Sequence, residues 1–150
     1  MRFAVPLCTL ALFALPALAL DPNNVQDNRD FAAAAAKEPG AQKFPSGLVY
    51  FELTPGTGKQ PTSGSVVKVH YKGTLIDGTE FDSSYKRGEP LDFPLTRVIK
   101  CWTEGVGMMK VGGKSKLVCP AKIAYGSAGH PPVIPRDATL VFEVELLDSK

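Results

Sequence analysis

The chain has 150 residues, 44% of them hydrophobic and 21% charged, with a formal net charge of +2. That length suits one domain with an appendage, and the composition supplies enough apolar material for one core. The charge is too small, and too evenly spread, to point to nucleic acid or an anionic membrane surface.

The first twenty residues stand apart. Arg2 gives a positive start, Phe3 to Leu20 carries no charge, and Ala17-Leu18-Ala19 fits the small-x-small pattern of a cleavage site. Residues 1–19 therefore read as a signal peptide. The alternative is a retained membrane anchor, against which Pro6, Pro16 and the cleavage pattern argue. Cys8 leaves with the signal. Cys101 and Cys119 remain, an even count that suggests pairing in an exported protein; two buried free thiols are the alternative. No CxxC, no His-x-Glu-x-x-His and no acidic calcium loop occurs, and His70 and His130 are too isolated for a metal site. No metal and no cofactor is expected.

Residues 20–45 read as a leader. Asp27 or Asn28 could cap a short helix running through Phe31 and Ala32–Ala36, stopped by Pro39-Gly40. With Phe31 as its one strong hydrophobe, this helix is expected to pack loosely. Residues 46–150 form the domain. Leu48 to Leu53 reads as a strand ended by Pro55-Gly56. In Val66 to Leu75, Val67, Val69, Tyr71 and Gly73 share the face expected to meet the core, opposite Lys68, His70, Lys72 and Thr74. Asp77-Gly78 signals a hairpin into a short strand at Glu80–Asp82. Leu91 to Leu95 reads as a strand at an edge or bulge, because of Pro94. The spacing of Trp102, Val106 and Met109 predicts one helix over Ile99 to Met109, weakened by Gly105 and Gly107. Lys114 to Cys119 is a strand, Ala121 to Arg136 a Gly/Pro-rich loop, and Thr139 to Leu147 the clearest strand, with Leu140, Phe142, Val144 and Leu146 on one face. The sum is an α+β domain: an antiparallel sheet of five to six strands with one short α-helix on its apolar face.

No nucleophile–base pair, phosphate loop or pair of carboxylates stands out. The unusual residues are aromatic: Tyr71, Phe81, Phe93, Trp102, Tyr125 and Phe142, with Asp82 directly after Phe81. Inward faces let them converge on a concave pocket, the usual form of a small-ligand or peptide site; packing in the core alone is the competing account.

Val69-His70-Tyr71-Lys72-Gly73, Asp77-Gly78-Thr79-Glu80-Phe81-Asp82-Ser83-Ser84, Val98-Ile99, Trp102-Thr103-Glu104-Gly105, Ala124-Tyr125-Gly126 and the run Ala138 to Leu147 together resemble FKBP-type peptidyl-prolyl isomerases. The resemblance covers about residues 46–148. Pro45-Ser46-Gly47-Leu48 is similar to the bacterial macrophage-infectivity-potentiator branch, whose long helical dimerisation domain has only a stub here, so a monomer is expected. The resemblance implies a curved antiparallel sheet wrapped around the helix, with the site between them. Trp102 corresponds to the floor and Tyr71, Phe81 and Phe142 to the walls. Val98 and Ile99 correspond to the lip, with the Ile99 N–H as a donor, and Tyr125 to a hydroxyl at the mouth. Asp82 corresponds to the one buried-side carboxylate, partnered by Arg87, and is expected to hold its neighbours rather than transfer protons. His130 and Ile134 fall on an overhanging loop. Leu91 stands where an aromatic wall residue is common, so that side is expected to be shallower. Cys101 stands where eukaryotic members have glycine, and in this fold its helix start and the strand end at Cys119 come close enough for a disulfide.

The activity implied is rotation about Xaa-Pro bonds of exported polypeptides in the periplasm or outside the cell. Nothing at Asp148-Ser149-Lys150 resembles an endoplasmic-reticulum retrieval signal, which favours the periplasm. Proline-containing clients are the expected partners, macrolide immunophilin ligands the expected inhibitors, and neither nucleic acid nor stable membrane insertion after processing is expected. A holdase chaperone using the same groove without turnover is the competing function. The lip of Val98, Ile99, Val133 and Ile134 carries no fixed charge, so an apolar residue is expected to be preferred before the proline.

Overall fold

Alternation of side chains along β3 (Val66–Thr74) organises the domain: Val67, Val69 and Tyr71 are buried on one face while Lys68, His70 and Lys72 lie toward the other. The computed structural model describes residues 20–150; the expected signal peptide lies outside them. β7 (Leu140–Ser149) pairs antiparallel with β3 and repeats the alternation, burying Leu140, Phe142, Val144 and Leu146. Adding β1 (Gln42–Lys43), β2 (Val49–Thr54), β4 (Glu80–Ser83), β5 (Leu91–Pro94) and β6 (Lys114–Cys119) gives a seven-stranded antiparallel sheet in the order β1-β2-β6-β7-β3-β4. β5 pairs with the Val66–Val69 half of β3, on the edge whose other half takes β4. The extra strand relative to expectation is the two-residue β1, too short to show periodicity.

Between β4 and β5 the chain makes one helical turn, α2 (Ser84–Arg87), started by Ser83 Oγ accepting the Lys86 N–H and ended by Gly88 in the left-handed region. The Tyr71 N–H, which neither edge strand reaches, is taken by Ser84 Oγ at 2.7 Å. A buried serine thus completes the hydrogen bonding of the strand beneath the site.

The domain helix α3 (Lys100–Gly105) is shorter than the spacing predicts and tightens into a 3-10 turn at Val106–Met108. Gly105 is required by space: a Cβ there would lie 2.8 Å from Leu117 Cδ2, so its absence lets the helix settle on the sheet. The same glycine and Gly107 weaken the helix, which is why it stops early. Trp102, Val106 and Met109 all enter the core. A disulfide joins Cys101 on the first turn of α3 to Cys119 at the end of β6, with Cα atoms 5.8 Å apart, as expected. Across a separation of 18 residues, chain entropy assigns it roughly 3 kcal/mol.

The leader departs from expectation. Its helix α1 (Val25–Ala35) is capped by Asn24, whose side chain accepts from the Asp27 N–H, and is docked rather than loose. Phe31, Ala32, Ala35 and Ala36 cover Val49, Phe51, Val118 and Val141 on the face of the sheet opposite α3. Small alanines let the helix approach closely, so one large hydrophobe suffices. Asn28, 1% exposed, fastens the contact: its Oδ1 accepts the Thr139 N–H at 2.8 Å and its carbonyl accepts the Thr139 hydroxyl at 2.9 Å. Its amide donates to the carbonyls of Pro22 and Asn24. Asn28→Ala strands the buried Thr139 N–H and should cost about 1–3 kcal/mol in urea unfolding; a loss below about 0.5 kcal/mol, typical of a surface change, would contradict this anchoring.

Candidate prolyl-binding site

β3, β5 and β7 each deliver an aromatic side chain to the same side of the sheet, and α3 delivers Trp102 against them. Tyr71 meets Trp102 at 5.1 Å between ring centroids and 85°, Phe93 meets it at 5.4 Å and 78°, and Phe142 at 5.4 Å and 85°. Phe81 from β4 completes the series, edge-on to Phe142 at 5.6 Å. Edge-to-face contacts set the positive rim of one ring against the negative face of another, so the box holds its shape. Gly73 makes room for two of the walls: a Cβ there would lie 2.5 Å from Phe81 Cζ and 2.9 Å from Phe142 Cε1.

These rings line a cavity of about 420 Å³ together with Asp82, Arg97, Val98, Ile99 and Tyr125. A larger groove, about 530 Å³, lies between α1 and the start of the Pro120 loop, lined by aliphatic and charged side chains without any aromatic. The aromatic cavity is the one with convergent polar groups in an apolar setting. Trp102 Nε1 is buried without a hydrogen-bond partner among the described residues, so packing alone seats its ring.

Asp82 is bound twice. It accepts from the Tyr71 hydroxyl and from Arg87 Nη1 at 2.6 Å, and Arg87 Nη2 also donates to the Tyr71 oxygen at 3.0 Å. Arg87 lies 5.7 Å from the Tyr71 ring centre as well. Burial works against the Asp82 charge, but the hydrogen bonds from Tyr71 and Arg87 and the nearby guanidinium outweigh it, holding the carboxyl below its usual range. Burial, together with the Asp82 carboxylate, pushes the Tyr71 hydroxyl above its ordinary value. Neither group is poised to exchange protons near neutrality.

The lip is pinned. Leu95 is buried, its N–H donates to Ser65 O at 3.0 Å, and its carbonyl accepts from Thr103 Oγ1 at 2.7 Å. Ile99 sits at the N-cap of α3, and its N–H donates to no group among the described residues. Tyr125, 39% exposed, stands across the mouth with its ring 5.4 Å from that of His130.

Of the residues singled out from sequence, Tyr71, Phe81, Asp82, Val98, Ile99, Trp102, Tyr125 and Phe142 meet around this cavity. Arg87 stands behind it as the partner of Asp82. His130 reaches it only through Tyr125. Leu91 and Ile134 do not line it: Leu91 packs against the core opposite Val69, and Ile134 is buried, held by paired backbone hydrogen bonds to His130. The wall given to Leu91 is closed by Phe93, one alternation further along β5. The pattern Leu91-Asp92-Phe93, with Asp92 exposed, holds that signal. The expected uncharged lip is also corrected, because Arg97 lines the cavity beside Val98.

What the geometry offers is an apolar, ring-walled box with free donors at the Ile99 N–H and Tyr125 hydroxyl and a neutralised carboxylate at one wall. A model of the FKBP-type peptidyl-prolyl cis-trans isomerase family matches residues 57–147, more than half of the chain. The chain is 52% identical over 128 residues to the FKBP-type peptidyl-prolyl cis-trans isomerase FkpA of Escherichia coli, covering 85% of this chain and 47% of that protein. It is 43% identical over 127 residues to the peptidyl-prolyl cis-trans isomerase Mip of Coxiella burnetii, covering 85% and 55%. The crystal structure of FkpA from Escherichia coli superposes with a TM-score of 0.82 at 52% identity, covering 85% of this chain and 59% of that one. A peptidyl-prolyl cis-trans isomerase from Pseudomonas syringae superposes with a TM-score of 0.79 at 38% identity, covering 84% and 92%. The chain spans about half the length of the curated relatives it matches. On this match and this fold, the chain belongs to the FKBP-type peptidyl-prolyl cis-trans isomerase family.

Proposed function

We propose that this chain catalyses cis–trans isomerisation of Xaa-Pro bonds in exported polypeptides, holding the prolyl ring in the box of Tyr71, Phe81, Phe93, Trp102 and Phe142. The observation that carries the reading is the perpendicular ring box, whose one lining carboxylate among the described residues is already neutralised by Arg87 and Tyr71. Rotation about the peptide bond faces a barrier of ~18–20 kcal/mol, because conjugation gives C–N partial double-bond character. Twisting removes that conjugation, and with it part of the amide dipole. An apolar aromatic box therefore disfavours the planar, dipolar amide more than the twisted one, which is differential stabilisation of the transition state. No covalent step and no proton transfer is needed. The Ile99 N–H and the Tyr125 hydroxyl hold the carbonyls that flank the ring, and Asp82 positions Tyr71 through their hydrogen bond.

Export is supported by the charged start, the Ala-x-Ala site and the Cys101–Cys119 bridge, which persists in oxidising compartments. Among the described residues no helix is long and apolar enough to cross a membrane. The apolar face of α1 is spent on the chain's own sheet, which supports a monomer. Macrolide immunophilin ligands should compete with the prolyl ring for the same box.

Magnetisation-exchange NMR or a protease-coupled assay on an Ala-Leu-Pro-Phe peptide tests the activity. Trp102→Ala and Phe142→Ala should each lose most turnover, the latter also costing about 3–5 kcal/mol of stability. Tyr125→Phe should weaken ligand binding while keeping the melting temperature, since it removes one exposed hydroxyl. Undiminished turnover in Trp102→Ala would overturn the site. Binding without turnover in the wild type would favour the holdase instead.

The Asp82 interaction has its own signature. Its carboxyl is depressed in the folded state, so it stabilises above the unfolded value of about 3.9 and loses that contribution as pH falls through the lower folded value. The melting-temperature gap between wild type and Asp82→Asn should be constant from about pH 5 to 8 and close below about pH 4. A gap that persists or widens on acidification would contradict the ion pair.

A further inference from the structure

Among the described residues, the cavity lining contains one acidic and one basic side chain, and they are not equivalent. Asp82 is matched by Arg87 at 2.6 Å and by the Tyr71 hydroxyl. Arg97, on the lip, has no ion-pair partner and no side-chain hydrogen bond among the described residues. The site therefore presents one unspent positive charge beside an otherwise apolar box.

The backbone beneath that charge is fixed. The Arg97 N–H donates to Pro94 O at 3.0 Å, closing a turn at the end of β5. Leu95 is locked by Ser65 and Thr103 on either side. Asp92, the nearest carboxylate in sequence, is exposed on β5, where its backbone stands in register with Lys68 of β3, and does not line the cavity. Arg97 also lies two residues before Ile99, whose N–H is free on the same lip. A polypeptide whose carbonyl is held by that N–H brings an adjacent side chain alongside Arg97.

We propose that Arg97 is a specificity-determining residue that selects prolyl segments carrying a carboxylate side chain next to the proline, on the side held by the Ile99 N–H. The proposal rests on the isomerase reading above and names its substrate class. Where that side precedes the proline, a carboxylate preference takes the place of the apolar one expected there from the lip's sequence. A guanidinium fits a carboxylate in two parallel hydrogen bonds, and because Arg97 is exposed the pairing has the strength of a surface ion pair.

The test uses proline peptides that differ only in Glu against Gln, placed before or after the proline, with wild type, Arg97→Gln and Arg97→Glu. Each is read both as kcat/KM and as affinity from the fluorescence of Trp102, the single tryptophan. At one of the two positions wild type should favour Glu over Gln roughly two- to fivefold at low salt, less at high salt. Arg97→Gln should bring the ratio to one, and Arg97→Glu should invert it. Ratios unchanged across the three proteins at both positions would overturn the proposal and leave the isomerase reading intact. Arg97-dependent ratios in affinity with no turnover of any peptide would overturn the isomerase reading and leave the selectivity standing.

Discussion

Trp102 touches three other rings at nearly right angles, and each of those rings comes from a different strand or turn of the sheet. For the contacts to coexist, the first turn of α3 must lie at one height above the sheet and one rotation about its own axis. Gly105 sets the height by leaving room for Leu117, and the Cys101–Cys119 bridge holds the rotation from the residue next to the tryptophan. Gly73 opens β3 to the rings of Phe81 and Phe142. Small residues and a covalent link thus fix the place of the large ones, and the hollow between the rings is a consequence of how they pack.

The polar groups around that hollow divide into held and free. Asp82, Arg87 and Tyr71 satisfy one another, so their charge and hydrogen bonds are committed to shape. The Ile99 N–H, the Tyr125 hydroxyl and the Arg97 guanidinium bond no protein group among the described residues and face the cavity or its rim. Chemistry that twists an amide needs few polar contacts, placed on the flanking carbonyls rather than on the ring. The division between held and free groups accords with that need.

Much of this was legible in the chain itself. The alternation of β3 and β7 states which faces are apolar, and the order of aromatic motifs brings Tyr71, Phe81, Trp102, Tyr125 and Phe142 together. Phe93 is visible as an aromatic, but that it and not Leu91 forms the wall depends on the register of a four-residue edge strand against β3, which so short a run does not state. Ile134 lies on the loop after Tyr125, yet its side chain is buried in the core, where its backbone pairs with that of His130. Arg97, an exposed arginine in a loop, carries no periodic signal. The docking of α1 is hidden for a different reason: its contacts depend on Asn28 meeting Thr139 across 111 residues, and a helix rich in alanine looks too poor in apolar surface until the sheet beneath it is known.

Because Trp102 is the single tryptophan, the floor of the box carries its own probe. Titrating the protein with a short proline peptide, and with the same peptide bearing alanine instead, tests most directly whether the ring box is a prolyl site. The account predicts a saturable change in Trp102 emission with the proline peptide and none with the alanine peptide over the same concentrations. Equal responses to both, or no response to either while turnover proceeds, would contradict it.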